Sequence, residues 1–294
     1  MFEANLEHNL LKLCADLNHS TYVHGTYDHK TVSEKKRRDI AVAHVRDRVV
    51  HRLLYDYLVP VVDKHFDYDV WSCRQGKGLH AGLKRTKHLT SKYADSWVWR
   101  ADIAKFFDNV THQTLKECLH RFVADDGALW LFDKIIDSYA IITSQSVSQS
   151  VSQSGIPIGN LTSQIFANIY LNEFDRFVRH ELKPLAYVRY GDDFALFVPD
   201  KQTATKMQAR ASSWLLNSLS LPIHPKNNHV FKARQGLYFL GHKIYPNSLI
   251  SVDKAMRIKI KQAINLRNAS SYQALYLPAK YRKQLPWYIS EDNT

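Results

Sequence analysis

The chain has 294 residues, 45% of them hydrophobic, which is ample for one large or two modest domains with a real core. Lys and Arg total 40 against 28 Asp and Glu, a formal charge of +12 that favours a polyanionic partner through counterion release. No stretch is long and apolar enough to span a bilayer, and the opening MFEANLEHNLLKLCADLNH lacks a basic n-region and an apolar h-region, so a cytoplasmic protein without a membrane partner is expected. The three cysteines (Cys14, Cys73, Cys118) and 15 dispersed histidines form no zinc or disulfide pattern.

In chain order, residues 5–17 place Leu6, Leu10, Leu13 and Leu17 on one helical face. An aromatic stretch, Thr21–Asp28, leads to the basic run Lys35-Lys36-Arg37-Arg38. A second amphipathic helix is predicted over Val42–Leu58, stopping before Pro60, and residues 71–85 read as a glycine-bearing basic loop that opens a short helix. Asp63, Asp67 and Asp69, with Lys64 and His65 among them, are expected on a solvated face. Trp97–Asp102 has the period-2 pattern of a strand, and Thr111 is placed to cap a helix carrying Leu115, Leu119 and Phe122. Asp125-Asp126, beside Gly127 and without strand flanks, is assigned to a loop; the repeat SQSVSQSVSQS at 144–154 reads as an exposed loop or hairpin tip. A long helix is predicted over Thr162–Leu182. Leu185–Tyr190 and Phe194–Val198 read as a β-hairpin with Gly191-Asp192-Asp193 at its turn. A helix over about 201–219, a hairpin-like pair (His229–Ala233 with Leu237–Tyr245) and a basic helical tail complete the chain. Strands and helices interleave without a βαβ repeat, so the fold class is α+β.

Two adjacent acids at a tight turn between apolar strands repel each other and are desolvated, an arrangement that divalent cations relieve. Asp102, ending a strand, adds a third carboxylate. Alone it reads equally as a structural strand-end acid or as a ligand; with Asp192 and Asp193 it completes a cage for two metal ions, Mg²⁺ or in substitution Mn²⁺.

With these residues in place the chain resembles the reverse transcriptases. Asp102 through Phe107 looks like their first palm motif, and Tyr190-Gly191-Asp192-Asp193 matches their Tyr-x-Asp-Asp motif. Gly155-Ile156-Pro157-Ile158-Gly159-Asn160-Leu161-Thr162-Ser163-Gln164 occupies the place of the nucleotide-pocket motif, in a variant similar to that of the diversity-generating retroelements. The likeness runs from about Tyr22 to Tyr245 and takes in Arg46–His51, Cys73–His80 and Phe239-Leu240-Gly241. It implies a right-hand polymerase, with fingers over 1–99, a palm over 100–248 carrying a fingers insertion around 120–158, and a short thumb over 249–294.

The resemblance assigns roles by position. Asp102 and Asp192 coordinate both metals, and Asp193 completes the triad. Phe107 stacks under the sugar and excludes a 2′-hydroxyl; Arg38 and Lys36 grip the triphosphate; Ile158 and Gly159 line the nucleotide pocket; Lys226 protonates pyrophosphate. Arg74, Lys77, Ser163 and Gln164 touch template or primer, Phe239-Leu240-Gly241 holds the primer end, and Lys254, Arg257, Lys259 and Lys261 reach backbone phosphates. Isoleucine at 158, where most relatives have glutamine, implies error-prone copying. The implied partners are an RNA template, a DNA or RNA primer, dNTPs, a small basic helical accessory protein and a structured RNA. Gly-Asp-Asp is also the usual form in viral RNA polymerases, against which Phe107 and the pocket variant argue. Two rivals remain: a reverse transcriptase of phage defence, and an inactive palm that only binds nucleic acid. No RNase H, endonuclease or maturase segment is recognised.

Overall fold

The computed structural model describes residues 2–33, 37–140, 153–247, 250–252 and 258. The ordered elements are α1 (Leu6–Asn18), β1 (Tyr27–Ser33), β2 (Arg37–Ala43), α2 (Val45–Val62), α3 (Leu79–Lys92), β3 (Trp97–Ile103), α4 (Phe106–Asn109), α5 (His112–His120) and α6 (Asp126–Asp137). They continue with α7 (Leu161–Phe177), β4 (Ala186–Tyr190), β5 (Asp193–Val198), α8 (Lys201–Leu219), β6 (Ile223–Lys232), β7 (Leu237–Phe239), β8 (His242–Ile244) and β9 (Ser251–Val252). The chain divides into two compact units, neither continuous in sequence: residues 1–68, 103–183 and 210–225 form the first, and 69–102, 184–209 and 226–294 the second.

The first unit is a helical layer with one antiparallel hairpin. Its centre is α7, whose Ile165, Phe166, Ile169, Tyr170 and Phe174 are all buried. Phe132 of α6 meets Phe166 edge-on at 6.0 Å, and Trp214 stacks on Phe177 at 4.7 Å. The hairpin β1–β2 pairs Tyr27 with Ala43 through Ser33 with Arg37. No strand was expected there, because YDHKTVS is polar on both faces and lacks the alternation that marks a half-buried strand.

Two further expectations are corrected in this unit. Residues 126–137 are helical rather than looped: Asp125 accepts from the Ala128 backbone N–H at 2.7 Å and caps α6, and Leu131, Phe132, Ile135 and Ile136 bury its inner face. α2 runs past Pro60 to Val62. Pro60 lies on the exposed side of the last turn, where the carbonyl it frees can be hydrated. Thr111 does stand at the N-cap of α5, but its hydroxyl donates to the Thr114 Oγ1 (2.8 Å) rather than accepting a backbone N–H.

The second unit holds a four-stranded sheet, order β4-β5-β3-β6, and a three-stranded one, β7-β8-β9. Trp71, Leu83, Leu89, Val98, Val188, Phe197, Leu237 and Phe239 pack into one core. Residues 229–232 belong to β6 beside β3, Ala233 opens a short 3-10 turn, and the hairpin is β7–β8, turning at Leu240-Gly241. The acids once expected on a solvated face are also paired. Asp69 is buried in a two-pronged contact with Arg85 (2.7 and 3.0 Å), and in the first unit the half-buried Asp67 makes a two-pronged contact with Arg179 (2.6 and 2.8 Å).

The repeat over 144–152 and the tail cations Lys254, Arg257, Lys259 and Lys261 lie outside the described residues. No helix among the described residues is long and apolar enough to cross a membrane.

Candidate active site

The three acids of the sequence reading converge in the second unit. Strand register does this: β3 and β5 run antiparallel with Asp102 directly opposite Asp193. β4 and β5 pair Tyr190 with Asp193, leaving Gly191-Asp192 as a two-residue turn between them. Gly191 has φ +63 and Asp192 does not share a positive φ, the pattern of a type II′ turn, which places glycine at its first position. The glycine thus has a conformational reason at this turn. The turn is held from two sides. Ser72 Oγ accepts from the Gly191 N–H (2.9 Å), and the buried Arg189 donates to the Gly191 carbonyl (3.0 Å).

Each carboxylate has its own partners. Asp102 accepts from Asn227 Nδ2 at 3.0 Å and is hydrogen-bonded to Asp192. Asp193 takes both prongs of Arg100, Nε to Oδ1 at 2.9 Å and Nη2 to Oδ2 at 2.7 Å, and a backbone N–H from Leu240. Burial pushes Asp192 up to about 7, with the charge of Asp102 adding to the effect. Burial likewise lifts Asp193 to about 6, against the pull of Arg100. Burial alone would lower the Arg100 guanidinium, but the Asp193 carboxylate outweighs it and holds the cation above its ordinary range.

These groups suit a hard divalent cation: oxygen donors only, packed close enough to resist ionising together. Among the described residues, no three acidic, histidine or cysteine side chains already form a cation cage, because Asp193 is turned onto Arg100. Asp102 and Asp192 are the pair in mutual contact.

The other sequence candidates divide between the units. With the acids lie Arg74, whose Nη1 donates to the Val70 carbonyl (3.3 Å), and Lys77, whose ammonium sits 4.5 Å above the Trp71 ring. Lys226 is exposed on β6, one residue before Asn227. Phe239 is buried in the core, so what its hairpin presents is the turn Leu240-Gly241, with φ +53 and +75. Leu240 pays left-handed strain, on the order of 1–2 kcal/mol, in the conformation from which its N–H meets Asp193.

In the first unit Phe107 meets Phe106 edge-on at 5.3 Å, and Phe106 is the buried one of the two. Ile158 is half-buried, and its carbonyl accepts from Ala41 of β2 (3.0 Å). Gly159 has φ +114, and a Cβ there would lie 2.4 Å from Ile40 Cγ2. Ser163 is buried within α7 and Gln164 is exposed. Arg38 lies in β2 opposite Val32, while Lys36 falls outside the described residues.

Sequence reasoning missed three side chains that organise these sites. Arg100 stands two residues before Asp102 on the same strand face, so period-2 counting alone could have found it. Asn227 gave no signal. Asn160, inside the pocket motif, is buried and bonds both the Ala41 carbonyl (2.7 Å) and the Ala43 N–H (3.1 Å), fastening the motif to β2.

The family profile described as "Reverse transcriptase (RNA-dependent DNA polymerase)" matches residues 28–244. Protein YkfC of Escherichia coli K12 is 25% identical over 249 residues, covering 72% of this chain and 64% of YkfC. The group II intron-encoded protein LtrA of Lactococcus lactis subsp. cremoris is 21% identical, covering 88% of this chain and 53% of LtrA. The chain thus spans less than two thirds of either relative. Among solved structures, apo telomerase of Candida tropicalis, truncated from its C-terminal domain, superposes with TM-score 0.58 at 13% identity over 77% of this chain and 55% of that one. Telomerase of Candida albicans in complex with the TWJ fragment of telomeric RNA gives TM-score 0.55 at 12% identity, over 85% and 49%. The fold is that of these polymerases.

Proposed function

This chain belongs to the reverse transcriptase family, and on that premise we propose that it is an RNA-directed DNA polymerase, extending a primer along an RNA template with dNTPs. The observation that carries this reading is the meeting of Asp102, Asp192 and Asp193 at adjoining strand ends. Asp102 and Asp192, with Asp193, would hold two Mg²⁺ ions, for which Mn²⁺ could substitute. When bound, such ions lower the pKa of the primer 3′-hydroxyl and neutralise charge on the leaving pyrophosphate.

The chain's own groups then divide the remaining work. Arg38 and Lys36 draw in the triphosphate, and Lys226 returns a proton to pyrophosphate. Phe107 sets sugar choice by sterics. Ile158 and Gly159 border the nucleotide, while Leu240-Gly241, on the turn after Phe239, steadies the primer end. Arg74, Lys77 and Gln164, with Ser163 beneath, follow the template–primer backbone. The fingers would comprise residues 1–99 and an insertion around 120–158, the palm 100–248 and the thumb 249–294. The setting would be the cytoplasm.

Primer extension on matched RNA and DNA templates, with dNTPs or NTPs and Mg²⁺, tests the reading. DNA synthesis on RNA is expected; absence of extension on every template, from a folded chain, would sink it.

Ile158 supports the finer reading of a mutagenic enzyme of a diversity-generating element, with a structured RNA and a small basic helical protein as partners. Isoleucine cannot offer the hydrogen bond that a glutamine would, which removes one check on mispairs. Ile158→Gln should lower misincorporation, above all opposite template adenine. An unchanged error spectrum in sequenced products would remove this finer reading and leave the polymerase standing.

A further inference from the structure

A second basic and aromatic surface lies on the second unit, at the far end of β3 from the acids. Asp102 is five steps along the strand from Trp97, about 16 Å. Lys201 and Lys232 both reach the half-buried Trp97 ring, each ammonium 5.7 Å from its centre. Lys92 lies 5.2 Å over Tyr93, and Lys243 lies 5.3 Å over Tyr245. The chain between Tyr93 and Trp97 also borders an open groove of about 740 Å³, lined by Ala94, Asp95, Arg234, Tyr245, Pro246 and Asn247.

The groove is built rather than incidental. Gly236 (φ +89) lets Tyr245 lie against the backbone: a Cβ there would sit 2.7 Å from the ring. Ser91 Oγ donates to the Pro246 carbonyl, and the Ala233 N–H to the Ser96 carbonyl, so both walls are tied to the α3–β3 connection.

Charge selects the occupant. Of the groove's own charged residues Arg234 and Asp95 are paired, and within two chain positions of its lining stand Lys92, Lys232 and Lys243, with Lys201 sharing the Trp97 ring with Lys232; Asp200 is the acid beside Lys201. Two ammonium groups on one indole repel each other, a cost that a phosphate between them would cancel. Drawing a lysine toward phosphate also uncovers a ring face, and unpaired bases stack on such faces without regard to sequence.

We propose that this groove binds a single-stranded RNA segment lying outside the carboxylate site. The proposal deepens the polymerase reading by giving its RNA a second hold. It does not depend on catalysis for its test.

The test uses the full chain, a labelled single-stranded oligouridylate, and fluorescence anisotropy across a salt series. The exposed pair Lys201→Gln/Lys232→Gln, and the triple variant adding Arg234→Gln, should bind about 10- to 100-fold more weakly at low salt. Their salt slopes should fall by about 0.7 per removed cation. Tyr245→Ala should weaken binding with the slope kept, since stacking carries no counterions. Extension of a short primer–template whose template strand overhangs by only the few nucleotides to be copied should be unchanged in all of them. Unchanged affinity and slope in the folded double variant would overturn the proposal. So would retained RNA affinity with lost binding of a polyglutamate probe, which would assign the surface to an acidic protein. A wild-type chain that binds the RNA through this groove but never extends a primer would instead count against the polymerase reading alone.

Discussion

Arg100 grips Asp193 with both prongs of its guanidinium, from one strand to the next, at 2.9 and 2.7 Å. The pair answers a problem that the register creates. Asp102 and Asp193 stand directly opposite each other, and like charges so placed destabilise a sheet. Arg100, two residues along on the same face, supplies the compensating charge, and its guanidinium also lies 5.9 Å from the Tyr238 ring. β3, β5 and β7 thus meet at one side chain.

Arg100→Met should therefore cost about 3–5 kcal/mol at pH 8, because Asp193 is left charged and unpaired with little solvent around it. Burial lifts Asp193 to about 6 even against the pull of Arg100, and higher without it, so at pH 5 the carboxyl is neutral in both proteins and the deficit should shrink. Arg100→Lys keeps the charge without the fork and should recover only part of the loss. Urea denaturation of the three proteins at the two pH values measures this; equal deficits at both would break the link to Asp193.

The paired acids should respond in opposite directions to amidation. Asp192 is lifted to about 7 from an ordinary 3.8, so its ionisation opposes folding, and the penalty grows as pH rises between these values. In chelator, Asp192→Asn should be more stable than wild type by about 1–3 kcal/mol at pH 8, with no gain at pH 4. Asp193→Asn loses its ion pair and should be less stable. Both changes, and Asp102→Asn, should reduce primer extension by at least about 10³-fold. Thermal melts in chelator, beside extension assays in Mg²⁺, check both halves.

Gly159→Ala carries two penalties, a positive φ and a methyl 2.4 Å from Ile40 Cγ2. A loss of about 2–3 kcal/mol is expected. Adding Ile40→Ala should return the steric share only. A double-mutant cycle by denaturation would show a favourable coupling of about 1 kcal/mol; strict additivity would mean that the contact is relieved some other way.

His51 is buried between Thr162 Oγ1 (2.6 Å) and His24 Nε2 (3.1 Å), and burial chiefly, with the neighbouring His24, lowers it to about 4. A histidine held neutral in the fold contributes stability that is full above 6.5 and lost as pH falls toward 4. His51→Gln should lack this term: against wild type, its relative stability should improve by about 2–3 kcal/mol from pH 7.5 to pH 4.5. A constant difference across that range would show that His51 does not titrate with folding.

Where the sequence spoke clearly, the signal was local. Apolar runs on both sides of Gly191-Asp192-Asp193 announce a hairpin because strand, turn and strand are neighbours in the chain. The same holds for Trp97–Ile103 and for the long helix through Phe166, Tyr170 and Phe174. Where the signal failed, the stabilising partner was remote or the burial unusual. β1 and β2 satisfy each other's backbone with few apolar side chains. Asp69 looks like a surface acid until Arg85 is folded against it. Residues 229–233 carry a strand pattern, but the pattern does not say which strand will receive them.

Residue types and their spacing were thus enough to select the three acids and the strand that bears Asp102, since short-range periodicity and turn chemistry need no more than neighbouring residues, while the polymerase class came from the resemblance of the motifs to the reverse transcriptases. Pairing decided the rest. That Asp193 faces Asp102, that Arg100 neutralises it, and that the Leu240 N–H joins them are outcomes of register between segments some ninety and forty residues apart. A one-residue slip would turn those side chains to the other face of the sheet, and only close packing of the whole core forbids it.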